Sequence, residues 1–199
     1  MIAPANLETI RCFVAIPLDA AVIEDLQERQ RGLRTQLADA SVQWAQPQQI
    51  HLTLKFLGNV RAASVEEMIS TLREACGGIA PFDLATGGLG CFPSASNPRI
   101  VWLGLAGETD RLLQLQQRVA EAMAPFSERN ETRPFHPHLT IGRVKRACPD
   151  TAKIVQRLMR ESAASPPRSW RVTEVVLMRS VRNTSGAVYS KLGSVNLAG

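Results

Sequence analysis

Aromatic side chains and histidine are scarce in this chain: its 199 residues include 3 His, 1 Tyr, 3 Trp and 6 Phe, and aromatics make up 5% in all. A long surface that grips single-stranded nucleic acid by serial base stacking needs more rings than that. No apolar run approaches the roughly 18 residues of a membrane span, so no membrane partner is expected. The four cysteines, Cys12, Cys76, Cys91 and Cys148, stand far apart with no C-x-x-C pair. They read as reduced core thiols. The N-terminal MIAPANLETIRCFVAI lacks a basic start, an apolar stretch and a small-residue cleavage site. A cytoplasmic chain is the expectation.

What is present is ordinary for a globular protein: 45% hydrophobic and 21% charged residues, enough chain for one large domain or two small coupled lobes with a self-sufficient core. The charge is lopsided. Residues 1–100 carry 8 basic and 10 acidic side chains (−2), and residues 101–199 carry 15 and 8 (+7), which gives the net +5. An excess of this kind suits a partner bearing phosphates, or an ordinary basic surface.

Periodicity places the elements. A β-rich run at Arg11–Ile16 precedes a helix capped by Asp19, with Val22, Leu26, Leu33 and Leu37 on one face. A short strand at Val42–Ala45 follows. Ile50, Leu52, Leu54 and Phe56 then alternate with His51, Thr53 and Lys55, a strand with one apolar and one polar face. On this reading Phe56 is a core residue, and so is Trp102 in the later strand at Arg99–Leu105. Ser64-Val-Glu-Glu67 reads as a capping box opening a second helix. Further strands are expected at Phe82–Gly90, His136–Arg143, Trp170–Met178 and Ala187–Val195, with helices opening at Thr109 or Asp110 and at Asp150. The last two strands flank an Asn-Thr-Ser-Gly turn.

The order repeats. Each half runs strand, helix, histidine-bearing strand, helix, strand. From helix cap to histidine is 32 residues in one half (Asp19 to His51) and 29 in the other (Thr109 to His138), and each histidine opens the same tripeptide, His-Leu-Thr. This is a duplicated α+β unit. Alternate residues of a strand face one side, about 6.6 Å apart, so His51 and Thr53 project together, as do His138 and Thr140. Two lobes related by an approximate two-fold axis would bring both pairs to one cleft.

Imidazole titrates near pH 6.5, so one ring can take a proton from a nucleophile while the other gives one to a leaving oxygen. A hydroxyl beside each ring can hold a phosphoryl oxygen, a kit suited to an activated phosphodiester. A rival arrangement uses His136, His138 and His51 as a three-histidine zinc site.

The segments HLTLKFLG (51–58) and FHPHLTIGR (135–143), with RCFVAIPL near the start and NPRIVWLGL midway, resemble the 2H phosphoesterases, and among them the bacterial LigT-like RNA 2′,3′-cyclic phosphodiesterases, also called 2′-5′ RNA ligases. The resemblance spans about residues 10–195. It implies an α+β, bilobal, pseudo-two-fold fold with antiparallel sheets lining a central cleft and helices outside, one domain built of lobes near 10–95 and 98–195 that can exchange strands. It implies hydrolysis of RNA 2′,3′-cyclic phosphate ends to 2′-phosphomonoesters, without cofactor or metal, and with weak reverse ligation. His51 would be the proton donor and His138 the proton acceptor; Thr53 and Thr140 would hold phosphoryl oxygens. Arg143 matches a family position near the phosphate; strict alternation from His138 turns it away, so a twist or bulge is needed to bring it round. Lys55 shares the strand face of His51 and is a further candidate phosphate contact, while Phe92 and Trp44 are candidates for stacking on a base. The expected partner is an RNA with a cyclic phosphate terminus or a small cyclic nucleotide, and the chain is expected to act as a monomer. The alternatives are a non-catalytic binder of nucleotide or RNA ends, and a diesterase of the same chemistry acting on a small cyclic nucleotide.

Overall fold

The computed structural model describes residues 8–128, 133–183 and 186–199. The chain begins with β1 (Thr9–Ile16), which leads into α1 (Ala20–Gln36). The Asp19 carboxylate accepts the Val22 N–H at 2.8 Å, so the helix begins at the expected cap. Then come β2 (Ser41–Trp44), β3 (Leu52–Arg61), α2 (Val65–Cys76), β4 (Phe82–Ser94) and β5 (Asn97–Gly107). The second half adds α3 (Thr109–Ala122), β6 (Leu139–Arg146), α4 (Thr151–Ser162), β7 (Ser169–Val172), β8 (Glu174–Asn183) and β9 (Gly186–Asn196). The strand expected at Trp170–Met178 is two strands, divided at Thr173 because they join different sheets. Of the expected Asn-Thr-Ser-Gly turn, residues 184 and 185 lie outside the described residues.

The capping box at Ser64 does not form. The chain enters α2 through a 3-10 turn at Ala62–Ser64, where the Val65 N–H bonds the Ala62 carbonyl, and the Ser64 side chain makes no cap bond. The helix stops as expected at Gly77-Gly78, with Gly78 at φ +72°, a conformation open to glycine.

Two antiparallel sheets result. Their orders are β3-β1-β8-β9 and β2-β6-β5-β4-β7. Outward from its His-Leu-Thr strand, each sheet places that half's first strand next, β1 beside β3 and β5 beside β6. A strand from the other half follows, β8 or β4. Two helices cross likewise, α3 packing on β3 and α1 reaching β7, while α2 lies against β9 and α4 against β4 and β5. One face of each sheet is sealed by helices over a common core that includes Leu26, Leu52, Leu72, Leu84, Leu103, Leu115 and Leu139. Each such fully buried side chain contributes roughly 1.5–3 kcal/mol relative to exposure. The other face of the four-stranded sheet carries a separate small cluster of Phe13, Ala15 and Val176 with Met178 and Tyr189. His51 stacks on Phe13 of this face, which is the candidate cleft face of the sheet. Among the described residues no helix is long and apolar enough to cross a membrane.

Candidate active site

The two histidines sit at the entries of their strands, one residue before β3 and one before β6. Both are oriented alike. His51 Nδ1 lies 2.8 Å from the Gln49 carbonyl, and His138 Nδ1 lies 2.7 Å from the His136 carbonyl. A carbonyl can only accept, so each neutral ring carries its proton on Nδ1 and leaves the Nε2 lone pair free.

Their surroundings differ. His51 stacks on Phe13, with ring centroids 4.5 Å apart and planes 23° from parallel, and meets Tyr189 edge-on at 5.0 Å. His138 meets Phe92 edge-on at 5.1 Å and stands 6.1 Å from the Trp102 ring; the His136 ring lies 6.4 Å away. Burial pushes both histidines below the ordinary imidazole value, opposed in each case by the bond to the backbone carbonyl. At His138 the positive charges of His136 and Arg143 push in the same downward direction.

Strand register decides what accompanies each histidine. In β3, Thr53 pairs with Ala15, Lys55 with Val14 and Phe56 with Phe13. Leu54 is therefore an extra residue, a β-bulge. Thr53 and Phe56 share the cleft face with Ala15 and Phe13, while Lys55 is turned toward the side of Val14, which is in the core. In β6, Thr140 pairs with Trp102, Gly142 with Val101 and Arg143 with Ile100, so Ile141 is the extra residue. Trp102 and Ile100 are two apart on β5 and face one side. Thr140 and Arg143 consequently share that face. The bulges fall at the same step of each motif, one residue after the threonine, and the burial sequence over the first six strand residues is identical in β3 and β6.

Three expectations are corrected by this register. Phe56 is 61% exposed on the cleft face, not a core residue. Lys55 does not share the face of Thr53. Trp102 is only partly buried and forms part of the wall around His136 and His138. Its ring lies so close over Gly90 that a Cβ there would collide with it, and its indole N–H is buried without a hydrogen-bond partner among the described residues. Of the two aromatics proposed for stacking, Phe92 is beside His138. Trp44 packs against the core under Arg34 of α1, whose guanidinium is 5.2 Å from the ring. Strand alternation does not single out Phe13 or Tyr189; the available signal is that Tyr189 is the chain's single tyrosine.

The three histidines do not gather into one ligand set. His136 and His138 stack on the five-stranded sheet, His51 packs on Phe13 and Tyr189 of the other, and no group of three or more His, Cys, Asp or Glu side chains placed to hold a metal ion occurs among the described residues.

The chain has relatives among known proteins. An RNA 2′,3′-cyclic phosphodiesterase of Methanothermobacter thermautotrophicus is 32% identical over 183 residues, covering 92% of this chain and 96% of that protein. The crystal structure of TT0787 of Thermus thermophilus superposes with a TM-score of 0.76 at 26% identity, over 94% of this chain and 98% of the other. E. coli LigT complexed with 3′-AMP superposes with a TM-score of 0.72 at 26% identity, over 96% and 100%. The family model of the 2′-5′ RNA ligase superfamily matches residues 15–184. The chain belongs to the 2′-5′ RNA ligase superfamily.

Proposed function

We propose that this protein hydrolyses RNA 2′,3′-cyclic phosphate ends to 2′-phosphomonoesters, with His138 as general base and His51 as general acid. The observation that carries the reading is the double construction of the site. Each His-Leu-Thr motif has its Nδ1 tied to a carbonyl two residues earlier and a bulge one residue after its threonine. The relative from Methanothermobacter bears the name of this activity, and the E. coli neighbour was crystallised with 3′-AMP.

In the proposed step, His138 Nε2 takes a proton from water as the water oxygen attacks phosphorus. The P–O3′ bond breaks opposite, and His51 Nε2–H protonates the departing O3′. One water is consumed, a 2′-phosphomonoester and a free 3′-hydroxyl form, and the two rings end with their protonation states exchanged. Thr53 and Thr140 donate hydroxyl hydrogens to the non-bridging oxygens, and Arg143 offsets their negative charge. The scheme calls for no metal ion.

The assignment of roles follows the asymmetry of charge. A base must start neutral, and His138 has two cationic neighbours that disfavour its protonation. At His51 burial alone lowers the pKa, against the bond to the Gln49 carbonyl, and a bound phosphodiester anion favours the protonated form of both rings, so the difference between them is the two cations beside His138. All four cysteines are free thiols, in keeping with the proposal that the protein works in the cytoplasm, and we propose that it does so as a monomer.

The test is a panel of cyclic phosphates, nucleoside and oligonucleotide, incubated with chelator present and analysed by phosphorus NMR. A 2′-phosphomonoester product is expected, with His51→Ala and His138→Ala each slowing turnover by roughly 100-fold or more. Binding of the substrates without product would assign the protein to the non-catalytic class. Turnover of nucleoside substrates alone would move the substrate from RNA to small cyclic nucleotides.

A further inference from the structure

Both bulges that set the cleft residues are held from behind by a glutamine. Gln30, on α1, is 2% exposed and sits among Val22, Leu26 and Leu33 on the buried face of its helix. Its Nε2 donates to the Ile141 carbonyl at 2.8 Å and to the Ala45 carbonyl at 2.9 Å. Ile141 is the extra residue of β6, and its carbonyl also accepts the Ala45 N–H at 3.0 Å. On the other sheet, Gln116 of α3 donates from Nε2 to the Leu54 carbonyl at 3.3 Å, and Leu54 is the extra residue of β3. Each glutamine comes from the half of the chain opposite to the motif it holds.

A bulge disrupts the regular ladder of its strand, and a buried carbonyl left without a donor is costly. Loss of the bulge would shift the pairing by one residue and send every side chain past it, Arg143 among them, to the other face. A glutamine fixed on a packed helix can meet the bulged carbonyl at one register only. We propose that Gln30 and Gln116 are positioning residues that lock the two bulges, and that Gln30 thereby keeps Arg143 on the face of Thr140.

The effect on turnover rests on the function proposed above, but the placement can be read on ligand-free protein. The charged or titratable groups acting on His138 come from its own segment, His136 and Arg143. The strands beside it contribute Phe92 and Trp102, which do not titrate, and α1 lies behind the sheet. His51 titrates in a similar range and is followed as a separate resonance.

The experiment is NMR titration of the His138 ring in the wild type, Gln30→Met, Arg143→Gln and the double variant. Removing the Arg143 charge raises the His138 pKa toward the ordinary imidazole value. Gln30→Met, of nearly equal volume, is expected to raise it similarly by releasing Arg143 from the face, with no further rise in the double variant. The same variant should lower kcat/KM for a cyclic phosphate by about 10- to 100-fold, the scale of a reacting group misplaced by about 1 Å. An unchanged His138 titration in Gln30→Met, or an additive rise in the double variant, would overturn the proposal. If Gln30→Met does not fold, Gln30→Glu keeps the length and donates only while its carboxyl is protonated. Its kcat/KM should then fall as that carboxyl ionises, and a pH profile matching the wild type would overturn the proposal. Absence of cyclic phosphate hydrolysis in the wild type would defeat the proposed function and leave the titration to decide the positioning role.

Discussion

Phe13 and His51 lie face to face, at stacking distance, on the cleft face of the four-stranded sheet. Tyr189 closes the arrangement, edge-on to Phe13 at 5.1 Å as well as to His51. The contact fixes the plane of the imidazole while the Gln49 carbonyl fixes its rotation, so Nε2 is aimed by two independent constraints.

Phe13→Leu keeps the apolar volume and removes the stack. An aromatic pair contributes about 0.5–1.5 kcal/mol beyond its burial, so kcat should fall roughly 2- to 13-fold. His51 should titrate higher as water reaches the ring. Steady-state kinetics and NMR titration of the His51 ring check both, and a variant with unchanged kcat and titration would refute the role given to Phe13.

Acid should destabilise the fold through the same two rings. His51 and His138 are both held below the ordinary imidazole value by burial, so in the window below about pH 6.5 the unfolded chain binds protons that the folded chain refuses. Stability is therefore full above that window and is lost as pH falls through the folded-state values. Urea unfolding at about pH 7.5 and 5.5 should show a larger loss in the wild type than in the His51→Gln, His138→Gln double variant. Equal losses would mean that the histidines carry no linkage.

Phe56→Ala separates a cleft aromatic from a core one. At 61% exposure, its removal should change stability by no more than about 0.5 kcal/mol, whereas Phe82→Ala, at 0% exposure, should cost about 3–5 kcal/mol. If Phe56 meets a base of the substrate, binding of an RNA substrate should weaken by about 1–3 kcal/mol, read as a raised KM with kcat little changed. A core-sized loss of stability would return Phe56 to the interior.

Much of the architecture was legible in the sequence because it is written in local patterns. Asp19 caps its helix, Gly77-Gly78 ends another, and the repeated His-Leu-Thr sets the two halves in correspondence. Alternation failed just past the threonines. A bulge is a mismatch between two strands, and nothing in TLKF or TIGR alone records that Ala15 and Val14, or Trp102 and Val101, will meet them one residue short. That single step exposed Phe56, turned Lys55 away and swung Arg143 round to join Thr140. Ser64 failed as a cap for a local reason, the 3-10 turn that precedes it. The polar residue in the apolar stripe of α1, Gln30, was the visible sign that something behind the five-stranded sheet needed a donor.

The pairing of β1 with β8 has a consequence for biosynthesis. The strand that borders β1 on its second edge is Glu174–Asn183, far along the chain. While the polypeptide emerges from the ribosome, β1 and β3 can form a hairpin-like pair, but one flank of it stays open until Ser180, the partner of Arg11, has been made. Contacts so distant in sequence are slow to form. Cleft assembly is accordingly a late event, and a nascent chain stalled before Glu174 would display an unpaired β edge rather than half a working enzyme.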